Sequence, residues 1–196
     1  MADIQSGFVD VDGINTHYLE AGDRNAPTVA LLHSGEFGGC AEISWEFTIP
    51  ALAEHFHVIA PDWLGFGRTD KIYDFADQRS RVYRHMSRFY EVMGITEADF
   101  IGNSMGGTMA LHMSRFFDFE RVIAFTPQYS VLAKEVPEEN RWVYFRKRIK
   151  TYPFPKVEAL RTDATKYYIF HGDERRELAH ALRFPKAKGI SHYIIP

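Results

Sequence analysis

Apolar and polar residues alternate through the opening stretch GFVDVDGINTHYLEAG, residues 7–22, which reverses at Asp12-Gly13, a pair suited to the positive backbone angles of a tight hairpin. Two antiparallel strands are expected there. Six later runs, TVALLH, HVIAPD, ADFIGN, RVIAFT, KYYIFH and HYIIP, are short and apolar without long alternation, as in strands covered on both faces. Apolar residues at helical spacing predict helices over Trp45–Glu54, Arg79–Met93, Met105–Phe117 and Glu174–Leu182, each between two of those runs. Strand–helix alternation implies right-handed crossovers, and with them an α/β architecture around a mostly parallel, doubly wound sheet. In such sheets ligands bind beyond the carboxyl ends of the strands, so strand-end residues are the candidates for chemistry.

About forty residues, Gln128 to Thr165, separate the run RVIAFT from KYYIFH and include Pro137, Pro153 and Pro155, too long a connection for bare loop. Its aromatic-rich middle, NRWVYFRKRI, reads as a helix. That helix is either a small cap over the crevice, within about 128–165, or an ordinary crossover with long ends. No internal repeat or low-complexity tract interrupts the chain, and residues 1–196 are expected to form one domain.

The 196 residues are 45% hydrophobic and 15% aromatic, enough to bury a sizeable core. A net charge of -3, with Lys and Arg scattered among acids, leaves no footprint for nucleic acid; the basic stretch RWVYFRKRIK reads as a helix with a solvated basic face. Cys40 is the single cysteine, so a disulfide framework is excluded and metal ligation is not expected. The N-terminus carries acids where a signal peptide would have a basic and then an apolar segment, and no apolar run reaches membrane-spanning length. These features predict a soluble cytoplasmic protein with no nucleic-acid or membrane partner, and leave the oligomeric state open.

One stretch carries chemistry more pointedly than the rest. Gly102-Asn103-Ser104-Met105-Gly106 fits G-x-S-x-G at the junction of a predicted strand and a predicted helix, the pattern of a nucleophile elbow. A serine in a tight, strained turn lifts its hydroxyl clear of the sheet, and glycines two residues either side avoid collisions. The helix that follows directs unpaired N–H groups at the same spot, so the Met105 N–H is a candidate oxyanion donor.

Together with LLHSGEFGG (31–39) and PDWLGFGRTD (61–70), this motif resembles the α/β-hydrolase superfamily in spacing and order. Residues from about Gly7 to Gly107 are more closely similar to the carbon–carbon bond hydrolases that cleave meta-cleavage products of aromatic-ring degradation, which often show Asn before the nucleophile and Met-Gly-Gly after it. The resemblance implies an α/β-hydrolase fold and a Ser-His-Asp enzyme acting on a small-molecule carbonyl substrate, an ester, ketone or related compound, without metal or organic cofactor. It implies a second oxyanion donor from Ser34 or Gly35, although Ser34 stands where glycine is usual and Glu36 adds a carboxylate. Asn103 would face the polar end of a substrate, or else bond the turn backbone. Asp62 and Arg68 are expected to brace their loop.

Downstream of about Thr108 the similarity fades. By the superfamily order the acid follows KYYIFHG, which makes Asp173 the candidate; Asp173 and Glu174 equally suit the first turn of the helix that follows. The resemblance puts the catalytic histidine after the last strand, and SHYIIP reaches that strand's end at Pro196. His192 lies four residues, roughly 13 Å, down the strand, toward the wrong edge. His171 and His33 sit at strand ends but have ready roles as residues bonding nearby backbone. The expectation is therefore a serine hydrolase scaffold whose histidine belongs to a further segment. Its alternatives are a catalytically silent hydrolase-like binding protein and a chain whose two halves were recombined.

Overall fold

The computed structural model describes residues 3–117, 119–148 and 152–196, with the Phe145 side chain excepted. One eight-stranded sheet organises them, built from β1 (Gln5–Val11), β2 (Ile14–Ala21), β3 (Thr28–Leu32), β4 (His57–Pro61), β5 (Asp99–Asn103), β6 (Arg121–Phe125), β7 (Lys166–Gly172) and β8 (Ile190–Ile195), in the order β1-β2-β4-β3-β5-β6-β7-β8. The β1–β2 hairpin is antiparallel and β2 joins β4 antiparallel, while every pairing from β4 to β8 is parallel. Asp12 and Gly13 turn the hairpin at φ 53° and 82°. This is an α/β-hydrolase fold, a mostly parallel sheet opened by an antiparallel hairpin. From β3 the chain steps to β4 on one side and returns to β5 on the other, so the sheet's switch point lies at the ends of β3 and β5.

The continuous apolar runs follow from burial on two faces. Ala30, Leu32 and Ile59 point into a core with Trp63, Phe89 and Leu111, whereas Val29, Leu31, Val58 and Ala60 point into the opposite one with Trp45 and Ile49. Across β6, β7 and β8 that second face carries a ladder of stacked rings: Phe125 to Phe170 at 5.2 Å and Phe170 to Tyr193 at 4.9 Å.

Helices depart from expectation mainly in length. Of the helix predicted over Trp45–Glu54 only α2 (Thr48–Leu52) forms, preceded by a separate, unexpected short helix, α1 (Ala41–Trp45). Pro50 has no N–H to donate back to Glu46, which prevents one continuous helix, and Ala41, Trp45 and Ile49 still share one buried face. Helices α3 (Gln78–Val92), α4 (Met105–Met113) and α6 (Arg175–Ala181) match their predicted cores, α4 ending four residues early. In the long connection the helix α5 covers only Val143–Arg146, starting after Trp142 at φ 53°; the end of the predicted helix at 149–150 lies outside the described residues. Among the described residues no helix is long and apolar enough to cross a membrane, and no cluster of three or more His, Cys, Asp or Glu is arranged to hold a metal.

Four histidines are built in as neutral packing residues. Burial pushes His33, His85 and His171 down to about 4 and His112 to about 3. Neither ring nitrogen of His112 has a partner among the described residues. Unfolded, these imidazoles take protons near pH 6.5, whereas folded they refuse them for at least two further pH units. Their contribution is therefore intact above about pH 6.5 and is lost as the pH falls toward 4, at about 1.4 kcal/mol per pH unit for each proton taken up. Thermal melts between pH 8 and pH 4 should show a plateau followed by a steep fall beginning near pH 6.5. Replacing His112 by Gln should make that fall shallower by about one proton.

Candidate active site

Ser104 joins β5 to α4 in a conformation that few non-glycine residues adopt, φ 54° and ψ -117°. Such a residue costs about 1 to 3 kcal/mol and persists only where its surroundings over-determine it. The surroundings here are backbone. A Cβ on Gly102 would stand 2.4 Å from the Gly106 carbonyl, and one on Gly106 would stand 2.2 Å from the Leu32 oxygen and 2.5 Å from that of His33. No side chain fits either place, so α4 starts pressed against the ends of both β3 and β5. The Ser104 N–H donates to Phe125 O at 2.8 Å, which carries the β5–β6 ladder into the turn.

The same contact gathers the expected oxyanion residues. The Met105 side chain lies against Gly35, where an added Cβ would meet its sulfur at 2.9 Å. Ser34 is held from behind by His33, whose Nδ1 donates to the Ser34 carbonyl at 2.6 Å while its Nε2 accepts the Trp63 N–H at 3.2 Å. Both ring nitrogens of His33 are thus committed, and the ring stacks on Trp63 at 4.7 Å.

A cavity of about 500 Å³ opens beside this junction, lined by Gly35 and Met105 and by apolar walls that include Trp63, Tyr83, Met109 and Val131. Arg79 and Arg146 supply cationic edges. Val131, Trp142 and Arg146 come from the long connection, which therefore closes one side of the space. Ser104 is half-buried and lies just outside that lining, next to Met105.

What touches the Ser104 hydroxyl is a residue that sequence reasoning missed. Gln128, 1% exposed, donates from Nε2 to Ser104 Oγ at 3.0 Å. Its own N–H donates to the Thr108 hydroxyl at 2.8 Å. The loop that carries it leaves β6 through Thr126, another strained residue at φ 45°, and is pinned by two histidines. His171 Nε2 donates to Pro127 O at 2.9 Å, and His180 Nδ1 accepts the Tyr129 N–H at 3.1 Å. His192 leans on His171, with 2.9 Å between its Nε2 and the His171 Nδ1. Nothing in TPQYS announces the role of Gln128, because its partner lies 24 residues earlier and is brought near only by strand pairing.

His180 in turn donates from Nε2 to Glu139 at 3.0 Å. Burial opposes ionisation of Glu139, but hydrogen bonds from His180 and Arg141 overcome it and hold that carboxyl far below the usual range. Asp173, by contrast, is exposed; its N–H donates to Ile195 O at 3.1 Å and no histidine bonds its carboxylate among the described residues. Asn103 closes β5 half-buried, and among the described residues its amide makes no hydrogen bond to the turn. Asp62 does brace its loop, accepting the Ala41 N–H at 2.7 Å and the Arg68 N–H at 2.8 Å.

Known proteins resemble this chain in sequence and in fold. Residues 28–145 match the family model for the alpha/beta hydrolase fold. The chain is 42% identical over 108 residues to a 2-hydroxy-6-oxo-6-(2'-aminophenyl)hexa-2,4-dienoic acid hydrolase of Metapseudomonas resinovorans, covering 55% of this chain and 36% of that protein. It is 32% identical over 117 residues to a haloalkane dehalogenase of Bradyrhizobium diazoefficiens, covering 58% of this chain and 36% of that one. The chain thus spans little more than a third of the length of these curated relatives. A solved 2-hydroxy-6-oxo-6-phenylhexa-2,4-dienoate hydrolase from a Rhodococcus species superposes with a TM-score of 0.72 at 19% identity, covering 100% of this chain and 91% of that one. With a strained Ser104 between strand and helix, and a family match across more than half its length, the chain belongs to the alpha/beta hydrolase fold family.

Proposed function

We propose that this chain carries the nucleophile and oxyanion half of a serine hydrolase acting on an ester, ketone or related carbonyl compound with an apolar body. The observation that carries this reading is the strained Ser104, held at the switch point by backbone contacts that admit only glycine at 102 and 106. In this reading Ser104 Oγ attacks the carbonyl carbon, and the oxyanion is held by N–H groups of Met105 and of Ser34 or Gly35. Each such donor contributes about 3 to 4 kcal/mol in the transition state. Asn103 would meet the polar end of the substrate, and the mostly apolar 500 Å³ cavity would take its body. The reaction calls for no metal or organic cofactor.

A base is the remaining requirement. His33 and His171 have both ring nitrogens engaged elsewhere, and no histidine bonds Ser104 among the described residues. Completing the triad, with Asp173 orienting the histidine, therefore calls for an imidazole that none of the described residues brings to Ser104. Oxyanion donors and binding without a working triad leave a residual acceleration of about 10³ to 10⁴ over water.

A second reading, a silent hydrolase-like protein that binds a small apolar ligand, is favoured by Gln128. A carboxamide N–H donates to the hydroxyl and cannot take its proton. Ester turnover by this chain and by Ser104→Ala separates the two readings. With imidazole added to stand in for the base, the hydrolase reading expects a rate that falls at least tenfold in the variant, and a fluorophosphonate adduct on Ser104 that the variant lacks. Equal rates, together with quenching of Trp63 and Trp142 fluorescence by an apolar ligand, would leave the binder.

Gln128→Glu tests the donor directly, by setting a proton acceptor where a donor stood. Serine-specific labelling should rise about tenfold or more at neutral pH and fall again as the new carboxylate is protonated, a modest share of what a positioned base supplies. An unchanged rate would show that Gln128 does not govern the hydroxyl.

A further inference from the structure

Away from the strand-end crevice, a second hydroxyl stands in line with an imidazole and a carboxylate. Ser6, exposed on β1, has its Oγ 2.9 Å from Nε2 of His17 on β2. Nδ1 of the same ring lies 2.7 Å from Oδ2 of Asp62, just beyond β4. The hairpin register explains the first contact: His17 pairs with Phe8, which leaves Ser6 as its diagonal neighbour on the same face. His17 and Asp62 are each only 1% exposed, so the relay runs from a buried carboxylate to the surface.

Protons on this line are set by its ends. Asp62 accepts backbone N–H groups from Ala41 and Arg68 and has no proton to give, so the His17 proton sits on Nδ1 and the Nε2 lone pair faces Ser6. Arg68 Nη1 donates to Ser6 Oγ at 3.3 Å, which leaves the hydroxyl's own proton directed at His17. The guanidinium therefore lies where charge on a reacting oxygen would need it. The Phe8 ring, 52% exposed and 5.0 Å from the His17 ring, offers a flat apolar seat beside the hydroxyl.

We propose that Ser6 is a second acylation site, with His17 as its base and Asp62 as the group that orients the base, taking small activated acyl donors of the aryl ester class. Ser6 Oγ bonds to the ester carbonyl carbon as its proton passes to His17 Nε2. The carbon–oxygen bond to the aryl group breaks, and the departing aryl oxide takes that proton from His17. Acylated Ser6 and a phenol remain, with His17 neutral again. The brace that fixes the loop after β4 is thus also the inner end of a proton relay. This inference is independent of the chemistry at Ser104.

The test uses the full chain carrying Ser104→Ala, treated with p-nitrophenyl acetate and mapped by mass spectrometry. An acetyl group is expected on Ser6, forming roughly 100-fold faster in the folded chain than in the same chain unfolded in urea, the lower end of what a positioned base contributes. Adding Ser6→Ala should abolish that adduct without altering the melting curve. A second variant, His17→Gln, retains an amide donor for Asp62 but offers no basic nitrogen, and should reduce Ser6 acetylation to the unfolded rate. Acetylation of Ser6 no faster in the folded chain than in urea, or undiminished in a folded His17→Gln protein, would overturn the proposal. The comparison with urea decides the matter even if His17→Gln does not fold.

Discussion

The approach of α4 to the ends of β3 and β5 is the contact on which the site depends. Bare backbone meets bare backbone there, and the chain must enter the helix through one residue in a left-handed conformation. Strain of about 1 to 3 kcal/mol is held by ladder bonds on either side and by a buried apolar helix, so relaxing it would mean separating α4 from the sheet. The site's rigidity is therefore a property of the sheet's centre.

Histidines serve this molecule mainly as props. His33 ties the β3 loop to Trp63, and His171 and His180 clamp the loop after β6 onto the elbow. His33 and His171 do so as neutral rings, because burial depresses their proton uptake. A ring whose two nitrogens are both committed to partners other than the reacting hydroxyl is a poor candidate for taking that hydroxyl's proton.

Most of the architecture was legible because two-sided burial leaves a strong mark: every apolar run forms a strand, and Asp12-Gly13 forms the turn. The elbow was legible for the related reason that close backbone approach admits so few residues. Less was readable where context overrides pattern. Pro50 prevents a single helix that apolar spacing alone predicted, and Trp142 in a left-handed conformation delays the helix of the long connection. Gln128 could not have been found at all, since its position requires a strained Thr126, a β5–β6 pairing and two clamps acting together.

The ring ladder across β6, β7 and β8 has a consequence for how the sheet's edge anneals. Phe170 meets Tyr193 on one face of β8, while the adjacent His192 meets His171 on the other. Sliding β8 by a single residue would swap these faces and forfeit both contacts together. Its alignment is keyed twice, like a lock with wards on both sides, so a misregistered edge has no half-satisfied state in which to linger.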